Sequence, residues 1–224
     1  MDVISWFIEF VLHLDKHLLE MVQQYGLWVY AILFVIIFAE TGFVVTPFLP
    51  GDSLLFALGA LAAVDSTGTL NAPLASVLLA AAAVLGNTVN FSIGRAIGPP
   101  AFSGRFRFLK LSYLERTEAF FARYGTKTIV LSRFVPIVRT FAPFVAGVGK
   151  MPYGRFQAYN LAGGISWVML FVWSGYLFGN IPLVKNNFGI VTIAIIVVSL
   201  APVALAVMRG KKAKTSTTDA SLHS

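Results

Sequence analysis

The chain is a succession of apolar stretches, at 3–12, 26–64, 73–97, 128–149, 156–184 and 188–208. A helix needs about 20 apolar residues to cross a bilayer core ~30 Å thick, and several of these stretches reach that length. With 57% hydrophobic and 12% charged residues and a mean hydropathy of +0.78, the chain reads as an all-α polytopic membrane protein. Its first dozen residues carry neither a basic n-region nor a small-residue cleavage site, so no removed signal peptide is expected. The absence of cysteine excludes disulfides, a thiol nucleophile and a thiolate metal site.

The formal charge of +7 describes topology rather than a nucleic-acid surface. Residues 1 to 94 hold one basic residue, Lys16, against seven acids. The other bases gather mainly at 95–127 and in "RGKKAK" at 209–214. Basic segments beside membrane helices mark the cytoplasmic side, so these two lie inside and the base-free loop 65–72 outside. The run 73–96 is then one full crossing. Between 127 and 209 the crossings must be even in number, and 156–180 and 188–208 supply them, with Ile181 to Asn187 as an outer turn. That leaves 128–149 entering and leaving on one side. It contains Pro136 and Pro143, which disrupt helices, and reads as a re-entrant hairpin.

Residues 26–64 follow the same logic, running helix, break, helix with Pro47, Pro50 and Gly51 at the break. A second hairpin from the outer side fits. So does a full crossing that starts near Leu18 and precedes a shorter hairpin, and the side of the N-terminus depends on which holds. Both segments begin Tyr-Gly, and 15 residues after the tyrosine comes a charged residue followed by threonine: Glu40-Thr41 and Arg139-Thr140. Paired broken helices entering from opposite faces are the mark of an inverted repeat with a site near the midplane, although a third Tyr-Gly at 153–154 lacks the pattern.

Glu40, Asp52, Arg133 and Arg139 fall inside these apolar hairpins. An ionisable group at the bilayer centre costs on the order of 2.5–3.5 kcal/mol or more, so such groups pair with one another or face a watered cavity. An ion-pair staple is the plain interpretation, and Asp52 could simply cap a helix over 53–64. The alternative is a site. Guanidinium forks match phosphate oxygens in a bidentate way, carboxylic acids removed from water exchange protons nearer neutral pH, and broken helices expose N–H groups that favour anions. Together they describe a pocket that takes an anionic headgroup and couples it to protons.

The segments "ETGFVVTPFLPGDSLLF", "GNTVNFSIGR" and "SRFVPIVRTFAPFVAGVGKMPYGRFQAYNLAGGISWV" resemble the DedA family of bacterial inner-membrane proteins, whose shared SNARE-associated or VTT domain also occurs in eukaryotic lipid scramblases. The likeness covers most of the chain. It implies two hairpins facing each other, essential acids and arginines at Glu40, Asp52, Arg133 and Arg139, and a role in envelope integrity that depends on the proton motive force. Supporting positions are Pro47, Pro50, Gly51, Ser53, Asn87, Pro136, Thr140 and Pro143. Asn87 departs from the family, which commonly has an acid after the glycine. The implied function is a flippase for a phosphate-bearing lipid, foremost undecaprenyl phosphate. Alternatives are a translocase or scramblase of phosphatidylethanolamine or a related phospholipid, a proton-coupled small-ion antiporter, and an intramembrane lipid phosphatase.

The expected organisation is an interfacial amphipathic segment over 1–24, one membrane domain over 25–208 with about three full transmembrane helices and two hairpins, and a disordered basic tail over 209–224. The C-terminus is expected in the cytoplasm of a bacterial cell, beneath its inner membrane. Expected partners are membrane lipids and protons, with no nucleic acid, cofactor or metal, and with homo-oligomers left open. His13 and His17, spaced i, i+4, suit an interfacial helix better than a metal site. Residues 112–124 suit a cytoplasmic surface helix capped by Ser112 with Glu115 in capping-box position. Trp167 and Trp173 are expected to be packing or belt residues. Gly94 and Gly175 start small-xxx-small spacings that permit close helix packing.

Overall fold

A computed structural model describes residues 20–22, 24–43, 51–65, 68–97, 111–179 and 181–182. The expectations for the N-terminal segment, for Pro47 and Pro50, for the run 188–208 and for the basic tail therefore lie outside the described residues. Within them all regular structure is helical: α1 Trp28–Gly42, α2 Gly51–Val64, α3 Ala72–Ile97, α4 Leu111–Tyr124, α5 Thr128–Leu131, α6 Pro136–Val148 and α7 Tyr153–Phe178, with short 3₁₀ turns at Gly125–Lys127 and Ser132–Phe134.

Length separates these helices into two kinds. The 26-residue helices α3 and α7 extend about 39 Å at 1.5 Å per residue, enough for a bilayer core. The 15, 14 and 13 residues of α1, α2 and α6 reach only about 20 Å. Helix α1 begins with Tyr30 bonded through its hydroxyl to Thr69 and Asn71 and ends with Gly42 against Gly86 of α3. Helix α2 starts beside Glu40 and runs back to Val64, so the pair starts and finishes at the end where residues 68–71 lie. From the opposite end, α5 brings the chain in to Arg133, and α6 returns along α3 until Gly147 meets Phe91 and Arg95.

Gly26 has φ +51°, which interrupts the chain before Trp28 and separates the helical residues 20–22 and 24–25 from α1. The start of the alternative crossing near Leu18 lies outside the described residues. Gly125 has φ +56°, so the glycines of both Tyr-Gly pairs that open the matched segments are held at positive φ. Gly154, in the third pair, is helical within α7.

Two expectations are corrected. Pro143 does not break its segment: it lies inside α6, which continues to Val148. The break falls one residue before Pro136, where Val135 is extended at φ −124° and ψ 101° and Pro136 opens the new helix, the position at which a missing N–H costs nothing. Ser112 does not cap α4, because Leu111 is already helical.

Polarity is arranged inside out. The buried stripe of α3 is Ala72, Ala75, Ser76, Leu79, Ala82, Ala83, Gly86, Asn87, Asn90, Phe91 and Gly94, mostly small or polar. Its outer face exposes Leu74, Val77 and Leu85, and α7 likewise exposes Leu161, Ile165, Met169, Leu170 and Leu177. A continuous outer apolar surface suits hydrocarbon, not water. Small inner residues let backbones meet: Gly94 lies against the Phe144 carbonyl of α6, and Gly175 against the Phe56 carbonyl of α2. Any side chain at either glycine would collide with main chain. Helix α2, buried at every position from Gly51 to Ala60, packs chiefly on α7, while α1 and α6 pack on α3.

Two apolar cores result. One joins Leu33, Ile37, Leu55, Leu58, Leu79, Val168 and Val172, and the other joins Phe91, Ile129, Val138, Ala142 and Phe156. Along α3 the first ends at Ala83 and the second begins at Phe91; along α7 they are divided between Phe156 and Trp167. The polar residues fill the gap.

Candidate functional site

Arg139, near the start of α6, forks between two acids. Its Nη2 donates to Glu40 Oε1 at 2.5 Å and its Nη1 to Asp52 Oδ1 at 2.7 Å. Glu40 comes from the last turn of α1 and Asp52 from the first turn of α2. This disposes of the capping interpretation: Asp52 is already helical, and its carboxylate serves Arg139 and the indole N–H of Trp167, the latter at 2.9 Å. Gly51 is required for a steric reason, since any side chain there would overlap the Glu40 carboxyl. Ser53 beside Asp52 is fully buried.

Arg133 sits in the 3₁₀ turn before the Pro136 break. Six residues from Arg139, it would lie on another face of a straight helix, and the extended Val135 swings both guanidinium groups to one side. Both then stand over the Trp167 ring, Arg133 at 5.9 Å and Arg139 at 5.6 Å from its centroid, within cation–π range. Arg133 is only 3% exposed, yet no carboxylate lies within ion-pair distance among the described residues. Its Nη2 donates to neutral oxygens, Asn160 Oδ1 at 2.8 Å and the Ala83 carbonyl at 3.3 Å, and its Nε is buried with no hydrogen-bond partner among the described residues.

Asn160 is the hub of the polar layer. Its Oδ1 also accepts from Asn87 Nδ2 at 3.1 Å, and its Nδ2 donates to the Val84 carbonyl, Gln157 Oε1 and Thr88 Oγ1. Asn90 Nδ2 donates to the Thr41 and Thr140 carbonyls, joining the end of α1 to α6. Glu40, Thr41, Asn87, Arg133, Arg139, Thr140 and Trp167 line one small cavity of about 10 Å³, close to the room needed by one water.

The four ionisable positions read from the sequence thus converge, along with Gly51, Asn87 and Thr140. Pro136 acts by redirecting the chain, and buried Pro143 lies further along α6. Asn90 and Asn160 are absent from the sequence-based expectations, and Trp167, expected as a packing or belt residue, is buried and also donates to Asp52. The available signal was polarity out of place, since Asn87 and Asn90 stand i, i+3 in the run 73–97, and Asn160 interrupts 156–184. Trp167 gave none, because a tryptophan in an apolar run is ordinary. Among the described residues no three or more histidine, aspartate or glutamate side chains converge as metal ligands.

The VTT domain model matches residues 49–177, which contain Asp52, both arginines, the asparagines and Trp167. Protein DedA of Escherichia coli strain K12 is 53% identical over 214 residues, spanning 95% of this chain and 97% of that protein. The chain belongs to the DedA family. A membrane protein of Mycobacterium leprae is 40% identical over 189 residues, 84% of this chain and 83% of its own length. Inner membrane protein YqjA of E. coli K12 is 36% identical over 154 residues, 68% and 69% of the two chains. No solved structure matches. Family membership accounts for the inside-out polarity: this is a membrane protein, with polar groups gathered in its interior and apolar side chains on its outer helical faces.

Proposed function

We propose that this DedA-family protein is a proton-coupled transporter that carries a phosphate-bearing lipid across the bacterial inner membrane, with undecaprenyl phosphate as the first candidate. It is read as a carrier and not as an enzyme. The observation behind this is the unequal state of the two arginines, Arg139 shared by two carboxylates and the buried Arg133 bonded, among the described residues, to neutral oxygens in the same cavity.

Glu40 and Asp52 occupy the donors that a phosphate would use. Protonating them removes their charge and releases the Arg139 fork, which then takes two phosphate oxygens while Arg133 supplies a second cation. The cavity is too small for a headgroup as it stands, so the α1–α2 and α5–α6 pairs must part to admit one and close to restore the ion pairs. Both pairs are read as re-entrant hairpins because each is too short for a crossing and returns to the end from which it came. The described bases Arg95, Arg123, Lys127, Lys150 and Arg155 lie toward the end of the second pair, which fits a cytoplasmic face there and a cytoplasmic C-terminus.

Reconstitution into liposomes with labelled undecaprenyl phosphate or phosphatidylethanolamine, with and without a pH gradient, tests the proposal. Gradient-dependent movement of the first lipid, lost in Arg139→Ala and Glu40→Ala, supports it. Movement of phosphatidylethanolamine alone would assign a phospholipid translocase, cation flux without lipid movement an antiporter, and release of free phosphate an enzyme.

A further inference from the structure

An open apolar groove of about 610 Å³ runs between the two long helices, walled by Ala80, Ala81 and Val84 of α3 and Leu161, Ile165 and Met169 of α7. Its inner wall is thin at one point. A Cβ added to Gly164 would stand 2.8 Å from Val84 Cγ2 and 3.3 Å from Arg133 Nη2, so the groove-lining valine and the buried guanidinium both come close to that spot. Gly163, next to it, likewise faces Arg133, with an added Cβ 3.5 Å from its Cγ. Arg133, with no carboxylate within ion-pair distance among the described residues, thus lies close to the groove-lining Val84 and to two glycines. A glycine pair is the thinnest wall a helix offers.

We propose that one hydrocarbon chain of a phosphate-bearing lipid lies in the α3–α7 groove and that its headgroup reaches Arg133 sideways, between Val84 and Gly164. This rests on the transport reading above and gives it a lipid entrance. Charge favours this occupant over the others. The apolar run 188–208 of the same chain contains no acid, so it could fill the groove but would offer Arg133 no counter-charge. A phosphate-bearing lipid satisfies the groove and the cation together, and the Val84 side chain would have to move to admit it while its carbonyl is held by Asn160 Nδ2.

The test uses the full chain in phosphatidylcholine vesicles with a polyprenyl phosphate that carries a diazirine in its chain, mapping labelled peptides by mass spectrometry. Labelling should concentrate on residues 77–85 and 161–169 and fall at least tenfold with excess unlabelled polyprenyl phosphate, but not with the uncharged polyprenol. Ala81→Trp, which fills the exposed groove without touching the interior, should abolish the competed label. Gly164→Ala should reduce it severalfold. Label elsewhere, label that polyprenol competes equally well, or cross-links showing the groove covered by 188–208 or by a second copy would overturn the proposal. Lipid movement is read in the same vesicles: movement without competed label removes the groove and leaves transport standing, and competed label without movement does the reverse.

Discussion

Thr41 and Thr140 present their main-chain carbonyls to one amide, that of Asn90, at 3.2 and 2.9 Å. The two threonines occupy matching places, each 15 residues beyond a glycine held at positive φ. One side chain of α3 therefore ties the interior end of α1 to α6. In Asn90→Leu both carbonyls lose that donor in a buried setting, a loss of about 1–3 kcal/mol. Thermal unfolding in detergent should show it as a lower Tm, and an unchanged Tm would deny Asn90 this role.

How much of this was legible depended on the physical signal available. Acids and arginines inside apolar runs are costly enough to announce themselves, and Glu40, Asp52, Arg133 and Arg139 do meet. Proline was read less well: Pro136 and Pro143 have the same chemistry, but only Pro136 stands at a helix start, and Pro143 is carried within a helix packed tightly against α3. Neutral polar residues are cheaper to bury, so Asn90 and Asn160 stand out only through their bonds to distant segments, 50 residues away for Asn90 and 73 for Asn160. Trp167 could not be read locally, because its role depends on Asp52, 115 positions distant.

Removing Arg139 alone should be worse than removing the whole cluster. Arg139→Met leaves two carboxylates buried together without their cation, and breaking such a pair costs about 3–5 kcal/mol. The triple variant Arg139→Met, Glu40→Gln, Asp52→Asn should recover most of that stability while remaining inactive in lipid transport. Recovery of transport as well would reduce the cluster to a structural staple.

Asn160→Leu should impair Arg133 without touching it. The substitution strips Arg133 Nη2 and Asn87 Nδ2 of a shared acceptor, so the guanidinium loses its orientation. Affinity for a phosphate-bearing lipid should drop roughly tenfold, about 1.4 kcal/mol. Arg133→Lys should lose at least as much despite keeping its charge, because an ammonium lacks the planar fork. Wild-type binding in both variants would argue against a phosphate clamp at this position.

Trp167→Phe separates two contributions. The ring beneath both guanidinium groups is retained, while the indole hydrogen bond to Asp52 is lost, at about 1.5–3 kcal/mol for a bond to a charged acceptor. Trp167→Leu removes both contributions, and its Tm should fall further than that of Trp167→Phe. Equal effects would mean that the ring contributes nothing beyond its volume.

Competition between carboxylate and phosphate for one guanidinium fork implies reciprocity: if protons on Glu40 and Asp52 free Arg139 for phosphate, phosphate binding must draw protons in. Titration calorimetry of the purified protein with a polyprenyl phosphate, repeated in buffers of different ionisation enthalpy, reads that exchange directly. Net proton uptake on binding, absent in the Glu40→Gln, Asp52→Asn double variant, is the expected result. Binding of equal strength with the same proton count in the wild type and the double variant would contradict it.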